Sequence, residues 1–437
     1  MNPFKNLHSE QTKYLNNFNW LVLDNVIKII GGFLVAIWVQ KYLSKSDYGV
    51  ITNAIAYTGI FTVLANLGLG HIVIRDIVQF PKLKRFYLGT ALGLKVVGAG
   101  IAFALINISA FYYEPDTLSR FVIFLFSFQL LANVFNTLNI YYDAKVKIKY
   151  HTIASAVSYL ISSLIKVYLI LNEYSVEYFA YAYIADYVIS GILKIIFYQK
   201  LESDIFKWRF SRKLAKQILL DSWAVGLTVF LAQIYSNVDK IMINDMLNKE
   251  ELGIYGVSTL FSDISGMLPP LLMASVLPYL VELKKNNPVF YERRFKQIMS
   301  LVTWGAIIVC ALSVLFGDYM FSILYNGKYD DAYLPFAYNI WKLLFLAQTQ
   351  LVSIWLLNQN LQRFQLYTNL FGAVSNIILN YFLITEYGIV GAALSTLISR
   401  VIINWGSPLL FKETREVTRI SIGSLNPMVL VNYLRMR

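Results

Sequence analysis

Long apolar runs alternate with short polar connections along nearly all of the 437 residues. A helix that crosses a bilayer needs about 20 mostly apolar residues. Twelve blocks meet that length: 18–39, 48–69, 86–108, 121–142, 152–171 and 178–197, then 218–244, 252–281, 298–316, 334–357, 367–384 and 388–411. Backbone buried in hydrocarbon must satisfy its own hydrogen bonds, so each block predicts a helix. Barrel strands would be shorter and would alternate apolar with polar positions. The expected fold is an all-α integral membrane protein with twelve transmembrane helices.

Composition agrees with this pattern. The chain is 57% hydrophobic and 15% charged, whereas soluble domains carry about 25% charged residues. The longest connection between blocks, 198–217, leaves no room for a soluble catalytic domain. The only cysteine, Cys310, lies inside an apolar block and excludes an intramolecular disulfide. The polar leader has no small-residue cleavage site behind it, which predicts that the first block is retained as a helix.

Charge sets the expected orientation. The leader, every second connection after it and the C-terminal tail hold 26 lysines and arginines, and the other six connections hold 5. Basic loops stay on the cytoplasmic side, so both termini are expected there.

The chain also repeats itself. Leu43-Ser-Lys-Ser-Asp-Tyr-Gly-Val50 returns as Leu247-Asn-Lys-Glu-Glu-Leu-Gly-Ile254, and Leu171-Asn-Glu-Tyr-Ser-Val176 returns as Ile384-Thr-Glu-Tyr-Gly-Ile389. The first pair joins helices one and two of each half, and the second joins helices five and six. Six helices per repeat is an even number, so both halves share one orientation about a pseudo-two-fold axis along the membrane normal. The predicted domains are six-helix bundles at 1–210 and 211–437.

No catalytic constellation is present: His8, His71 and His151 lack metal-ligand spacing, and neither a phosphate-binding glycine loop nor a zinc-protease helix occurs. The chain therefore reads as something other than an enzyme. Gly89 and Gly93, four apart in the third block, predict close helix packing.

Charges inside the blocks carry more information, because a charge at mid-bilayer normally faces a bundle interior or a wet cavity. The basic set is Lys28, Lys95, Lys166, Lys194, Lys240, Lys342 and Arg400; the acidic set is Asp24, Asp186, Asp221, Asp239 and Asp263. Lys194 and Asp221 lie near predicted cytoplasmic ends and Lys240 near an outer end, positions from which side chains snorkel to water. Asp24 and Lys28 are spaced to neutralise each other on one helix face. Lys95, Lys342 and Arg400 have no such local partner, and Lys166 lies deeper in the outer half of its block. A cavity lined by these cations would attract phosphate or carboxylate; interhelical pairing with the aspartates is the alternative. Asp263, just before Pro269-Pro270, and Asp24 and Asp239 are expected either to pair with those cations or to bind a coupling cation.

The ordered series of motifs resembles bacterial polysaccharide flippases of the multidrug, oligosaccharidyl-lipid and polysaccharide exporter superfamily. The residues carrying the likeness are Asn19-Trp20, Leu43 through Gly49, Asn66-Leu-Gly-Leu69 followed by Arg75, Ser222-Trp223, Val238-Asp239-Lys240, Leu252-Gly-Ile-Tyr255, Gly327-Lys-Tyr329 with Ala332, and Glu386 through Ala392. This resemblance implies two bundles around a central cavity. It implies alternating access that moves an undecaprenyl-pyrophosphate-linked oligosaccharide, such as an O-antigen unit, from the cytoplasmic to the periplasmic leaflet of a bacterial inner membrane. The family's cationic lumen is carried here by position to Lys28, Lys95, Lys166, Lys342 and Arg400, with Arg75 added from the motif series. Implied partners are the lipid-linked glycan, membrane lipids, and a polymerase and chain-length regulator of the polysaccharide pathway; no nucleic acid is expected. No bound cofactor is expected, and a proton or sodium gradient would drive transport if Asp24, Asp239 or Asp263 is a coupling carboxylate. The competing readings are a multidrug exporter of the same fold, a membrane glycosyltransferase or O-antigen polymerase served by the loop 317–333, and a scaffold of an assembly complex.

Overall fold

A computed structural model describes residues 31–428, apart from the side chains of 274 and 275. Among the described residues the regular structure is helical throughout, with no strand. The helices are α1 (31–42), α2 (Lys45–Asn66), α3 (Gly70–Gln79), α4 (Lys84–Tyr113), α5 (Thr117–Ala132), α6 (Thr137–Ala144), α7 (Ile148–Leu171) and α8 (Val176–Glu202). They continue as α9 (Arg212–Met246), α10 (Lys249–Ser265), α11 (Leu268–Asn286), α12 (Pro288–Tyr325), α13 (Tyr333–Asn339), α14 (Lys342–Asn358), α15 (Arg363–Val401) and α16 (Arg415–Gly423).

Ten stretches among the described residues are long and apolar enough to cross a membrane. One of them, Arg363–Leu410, contains Gly388 at φ 56° and ψ −137° and is therefore two spans joined at a break. With the block 18–39, which lies largely outside the described residues, the helices agree with the twelve-span fold. The break falls inside the second repeated motif. Its first-half copy turns at Glu173, also left-handed at φ 56°. Gly391 follows within a turn, where a Cβ would meet the Leu383 carbonyl oxygen at 1.8 Å, so only glycine lets the chain double back so tightly.

The first repeated motif is a helix N-terminus in both halves. The Ser44 side chain accepts from the Asp47 backbone N–H at 3.0 Å, and the Asn248 side chain accepts from that of Glu251 at 2.9 Å. Each satisfies one of the amides left open in a first turn.

The described chain divides into two compact units between Gln233 and Ile234, within α9. In the first unit α2 packs on α4 and α5, and α7 on α8. Its basic connections gather at one end around buried Tyr141, Tyr142 and Tyr198. There Lys84 pairs with Glu202 at 2.6 Å and Arg85 with Asp204 at 2.8 Å. Tyr198 donates to Asp204 at 2.5 Å, and the Trp208 indole donates to Tyr198 at 3.0 Å.

These contacts hold the linker 203–211 against α4, and here the structure corrects an expectation. A Cβ on Gly89 would lie 2.6 Å from the Arg209 carbonyl oxygen, and one on Gly93 would lie 2.7 Å from the Phe210 ring. The two glycines admit this strap and not a neighbouring helix. The strap is tied further by the Arg209 N–H donating to the Arg85 carbonyl at 3.2 Å, and by the Ser211 N–H donating to Thr90 at 3.1 Å.

In the second unit α13 packs on α10 and α15, and α14 on α11 and α12. α12 has 38 residues, about 57 Å at 1.5 Å per residue, which exceeds the roughly 30 Å of hydrocarbon. It continues to Tyr325, so the first half of the stretch expected as the largest outer loop, 317–333, is helix. Packing among Phe321, Tyr325, Tyr329 and Phe336 supplies the reason. The left-handed Asn326 and Gly327 then make a short turn.

Candidate functional site

The fourth span of each unit is interrupted. In the first unit α5 passes into α6 through a 3₁₀ turn, Asn133–Asn136; in the second, α13 passes into α14 through Ile340 and Trp341. Irregular backbone at membrane depth is tolerated where protein or a cavity satisfies it. A polar pocket adjoins each interruption, and in both units the sixth span supplies another wall.

The second unit's pocket encloses about 230 Å³ and is lined by Lys240, Lys342, Arg400, Asp239 and Asp263. Its charged side chains come from four helices, and on three of them one spacing recurs. Tyr235 precedes Asp239 by four residues, as Ser236 precedes Lys240, Thr259 precedes Asp263 and Thr396 precedes Arg400; all eight line the pocket. Residues four apart share a helix face, so α9, α10 and α15 each present a hydroxyl one turn before a charge. Asn339 and Lys342 flank the interruption itself.

Lys342 Nζ lies 2.5 Å from Asp263 Oδ1, which joins α14 to α10. The Asp263 side chain is half exposed. Asp239 is buried; its Oδ2 accepts from the Tyr255 hydroxyl at 2.6 Å and its Oδ1 from the Lys240 backbone N–H at 2.8 Å. The Arg400 guanidinium stands 4.4 Å from the centre of the Tyr235 ring, whose hydroxyl donates to the Thr396 carbonyl at 3.0 Å. Stacking on an aromatic face orients the guanidinium without using its donors. Neither Lys240 nor Arg400 has an ion-pair partner among the described residues. Arg400 Nε, Thr396 Oγ1 and both amide atoms of buried Asn339 also lack a hydrogen-bond partner there. The pocket thus combines three cations with two carboxylates, and its unused polar atoms suit an oxygen-rich anion.

The first unit's pocket, about 290 Å³, is lined by Asn133, Asn136, Asn139, Ser158, Asp186 and Lys194 among others. Ser158 donates to Asp186 at 2.7 Å, and Lys194 donates to the Asn136 side chain at 2.5 Å. This corrects the snorkelling reading of Lys194. Its side chain is 3% exposed because the interrupted fourth span turns the Asn136 amide towards it. Lys240 likewise lines the second pocket.

Of the described cations expected to line a lumen, Lys95 and Lys166 belong to the first unit and Lys342 and Arg400 to the second. Lys342 and Arg400 share a pocket. Lys166 lies 3.6 Å over the Tyr183 ring, and Lys95 is buried on α4 with no charged partner among the described residues; neither lines a pocket described here. Arg75 is half exposed and paired with Asp76 at 2.8 Å and Asp221 at 3.3 Å. Asp24 and Lys28 lie outside the described residues. Sequence reasoning missed Tyr235, Asn339 and Thr396; the four-residue spacing to known charges was the available signal for Tyr235 and Thr396.

Comparison with known proteins agrees with this architecture. Residues 14–284 match the polysaccharide biosynthesis protein family, and 224–382 match the MatE family. The chain belongs to the polysaccharide biosynthesis protein family. It is 20% identical over 395 residues to the capsular polysaccharide biosynthesis protein CapF of Staphylococcus aureus, covering 89% of this chain and 96% of that one. An inward-facing multidrug resistance MATE transporter of the MOP superfamily superposes with TM-score 0.71 at 13% identity, covering 91% and 95% of the two chains. The lipid II flippase MurJ in an inward closed conformation gives TM-score 0.65 at 15% identity, covering 96% and 93%. The family matches agree with the resemblance to polysaccharide carriers, and the likenesses to the MATE transporter and to MurJ show a shared multi-pass helical fold.

Proposed function

We propose that this chain flips an oligosaccharide joined through pyrophosphate to undecaprenol, carrying the headgroup from the cytoplasmic to the periplasmic leaflet of a bacterial inner membrane by alternating access. The observation that carries the reading is the second unit's pocket, where Arg400 and Lys240 keep free donors beside the Lys342–Asp263 pair. A pyrophosphate offers several anionic oxygens, and a guanidinium fork can bind two of them at once. Asn339 and Thr396 would meet sugar hydroxyls. The polyprenyl chain is already soluble in hydrocarbon, so the protein need only shelter the polar headgroup. Basic connections on one side support cytoplasmic termini. In this reading the chain performs no covalent chemistry, and a polymerase would use the delivered glycan.

Asp239 and Asp263 are the described carboxylates placed to exchange a proton or sodium ion with the pocket, and Asp24 is retained with them from the sequence. The two in the pocket, together with the MatE family match, also favour a second reading: export of an organic cation.

The decisive experiment uses proteoliposomes holding an undecaprenyl-pyrophosphate-linked oligosaccharide and follows its exposure to a membrane-impermeant glycosidase. Wild type should expose inner-leaflet glycan faster than protein-free vesicles. Arg400→Gln should slow this roughly tenfold to a hundredfold, as for loss of one charge-assisted hydrogen bond. Equal rates with and without protein would refute the proposal. Drug resistance lost on Asp239→Asn but kept in Arg400→Gln would establish the second reading.

A further inference from the structure

α16 is a nine-residue helix that lies on α12 and α14 outside the apolar spans. A buried polar network fixes its position. Gln348 Nε2 donates to Thr303 Oγ1 at 3.1 Å and to the Ser421 carbonyl at 3.2 Å. Gln348 Oε1 accepts from Ser421 Oγ at 3.1 Å and from the Trp405 indole at 3.0 Å. Val417 and Ser421 are buried by this docking, while Arg415, Glu416 and Arg419 stay exposed.

An open cavity of about 650 Å³ lies between α16 and the projecting start of α12, lined by Lys296, Lys412, Arg415 and Arg419 against the single acid Glu416. None of the four cations has an ion-pair partner among the described residues. Arg415 Nε donates to the Leu409 carbonyl at 2.9 Å, which sets the direction of its guanidinium. Ser300 lines the same cavity; it is fully buried, and its Oγ has no hydrogen-bond partner among the described residues. A buried hydroxyl without a partner is costly unless something else supplies one. Four neighbouring cations likewise repel one another until an anion enters. Leu410 and Met428, on the same segment, are each 63% exposed. Basic residues beside exposed apolar ones are the pattern of a segment at headgroup level.

We propose that this cavity is a phosphate site, separate from the transport pocket, that holds the headgroup of an anionic phospholipid. Free pyrophosphate shares the required chemistry, and the test separates the two sources.

The full chain would be purified from mixed phosphatidylglycerol and phosphatidylcholine, and retained lipids counted by native mass spectrometry. In parallel, inorganic pyrophosphate would be titrated calorimetrically. The variant is Lys412→Gln with Arg419→Gln, both exposed positions; the control is Lys82→Gln with Lys213→Gln, which removes equal charge elsewhere. The preference for phosphatidylglycerol should fall roughly tenfold or more in the pocket variant and stay unchanged in the control. Unchanged lipid retention, with pyrophosphate bound by wild type and not by the variant, would assign the site to a soluble phosphate and overturn the lipid. Neither ligand distinguishing the variant from wild type would overturn the site itself. The readout is binding at α16, so a chain that retains the lipid and moves no glycan would refute the transport reading and leave this one standing.

Discussion

Lys342 and Asp263 meet at 2.5 Å across two spans of the second unit, beside the interruption that separates α13 from α14. Asp263 keeps half of its surface accessible, so the pair resembles a partly solvated ion pair more than a sealed one. Lys342 itself is buried, and a pair open on one side costs less to break than the roughly 3–5 kcal/mol of a sealed one.

Removing either partner is therefore expected to leave the protein folded. Lys342→Met should slow glycan translocation about tenfold, the scale of one lost charge contact, while thermal stability in detergent changes little. The double variant Lys342→Met with Asp263→Asn should recover no transport, because the cation and not the pairing serves the substrate. Full activity in that double variant would show that the pair is purely structural.

The stacking of Arg400 on Tyr235 separates two roles of one ring. Tyr235→Phe keeps the aromatic face and loses only the hydroxyl that donates to Thr396, so transport should stay near wild type. Tyr235→Leu removes the face and should lower substrate affinity a few-fold, in line with the roughly 0.5–2 kcal/mol of a cation–π contact. Arg400→Lys should not restore activity, since an ammonium lacks the planar fork. A binding assay across the three variants checks the order.

Lys194 is buried on Asn136 and is not reaching for water. Lys194→Ala removes a charge-assisted hydrogen bond to the half-buried Asn136 amide and should cost about 1–2 kcal/mol, visible as a lower unfolding temperature. An unchanged unfolding temperature would contradict the buried geometry.

The strap 203–211 is expected to loosen in acid. Burial alone would raise the Asp204 carboxyl, but hydrogen bonds from Tyr198 and Arg85 and the charge of Lys84 hold it below its ordinary value of 3.8. A depressed folded-state value means the stabilisation is fully present above pH 3.8 and is lost as pH falls through the lower folded value. Hydrogen exchange in the strap should stay constant from pH 7 to about 5 after correction for intrinsic rates, then rise steeply below the carboxylate range. Asp204→Asn should show raised exchange at neutral pH. Identical exchange in both proteins would remove Asp204 from the latch.

The spans and the repeated motifs were legible in the chain because each depends on residues close in sequence. A bilayer imposes a length on every apolar run, and the break at Gly388 announced itself as a copy of the first half's turn. The strap was not legible, because Gly89 and Gly93 show only that something approaches closely, and a helix and a linker leave the same mark. The grouping of charges was decided by tertiary structure. Which of Lys95, Lys166, Lys240, Lys342 and Arg400 share a cavity depends on how each helix is rotated and where the fourth spans are interrupted, and those follow from packing among residues far apart in the chain.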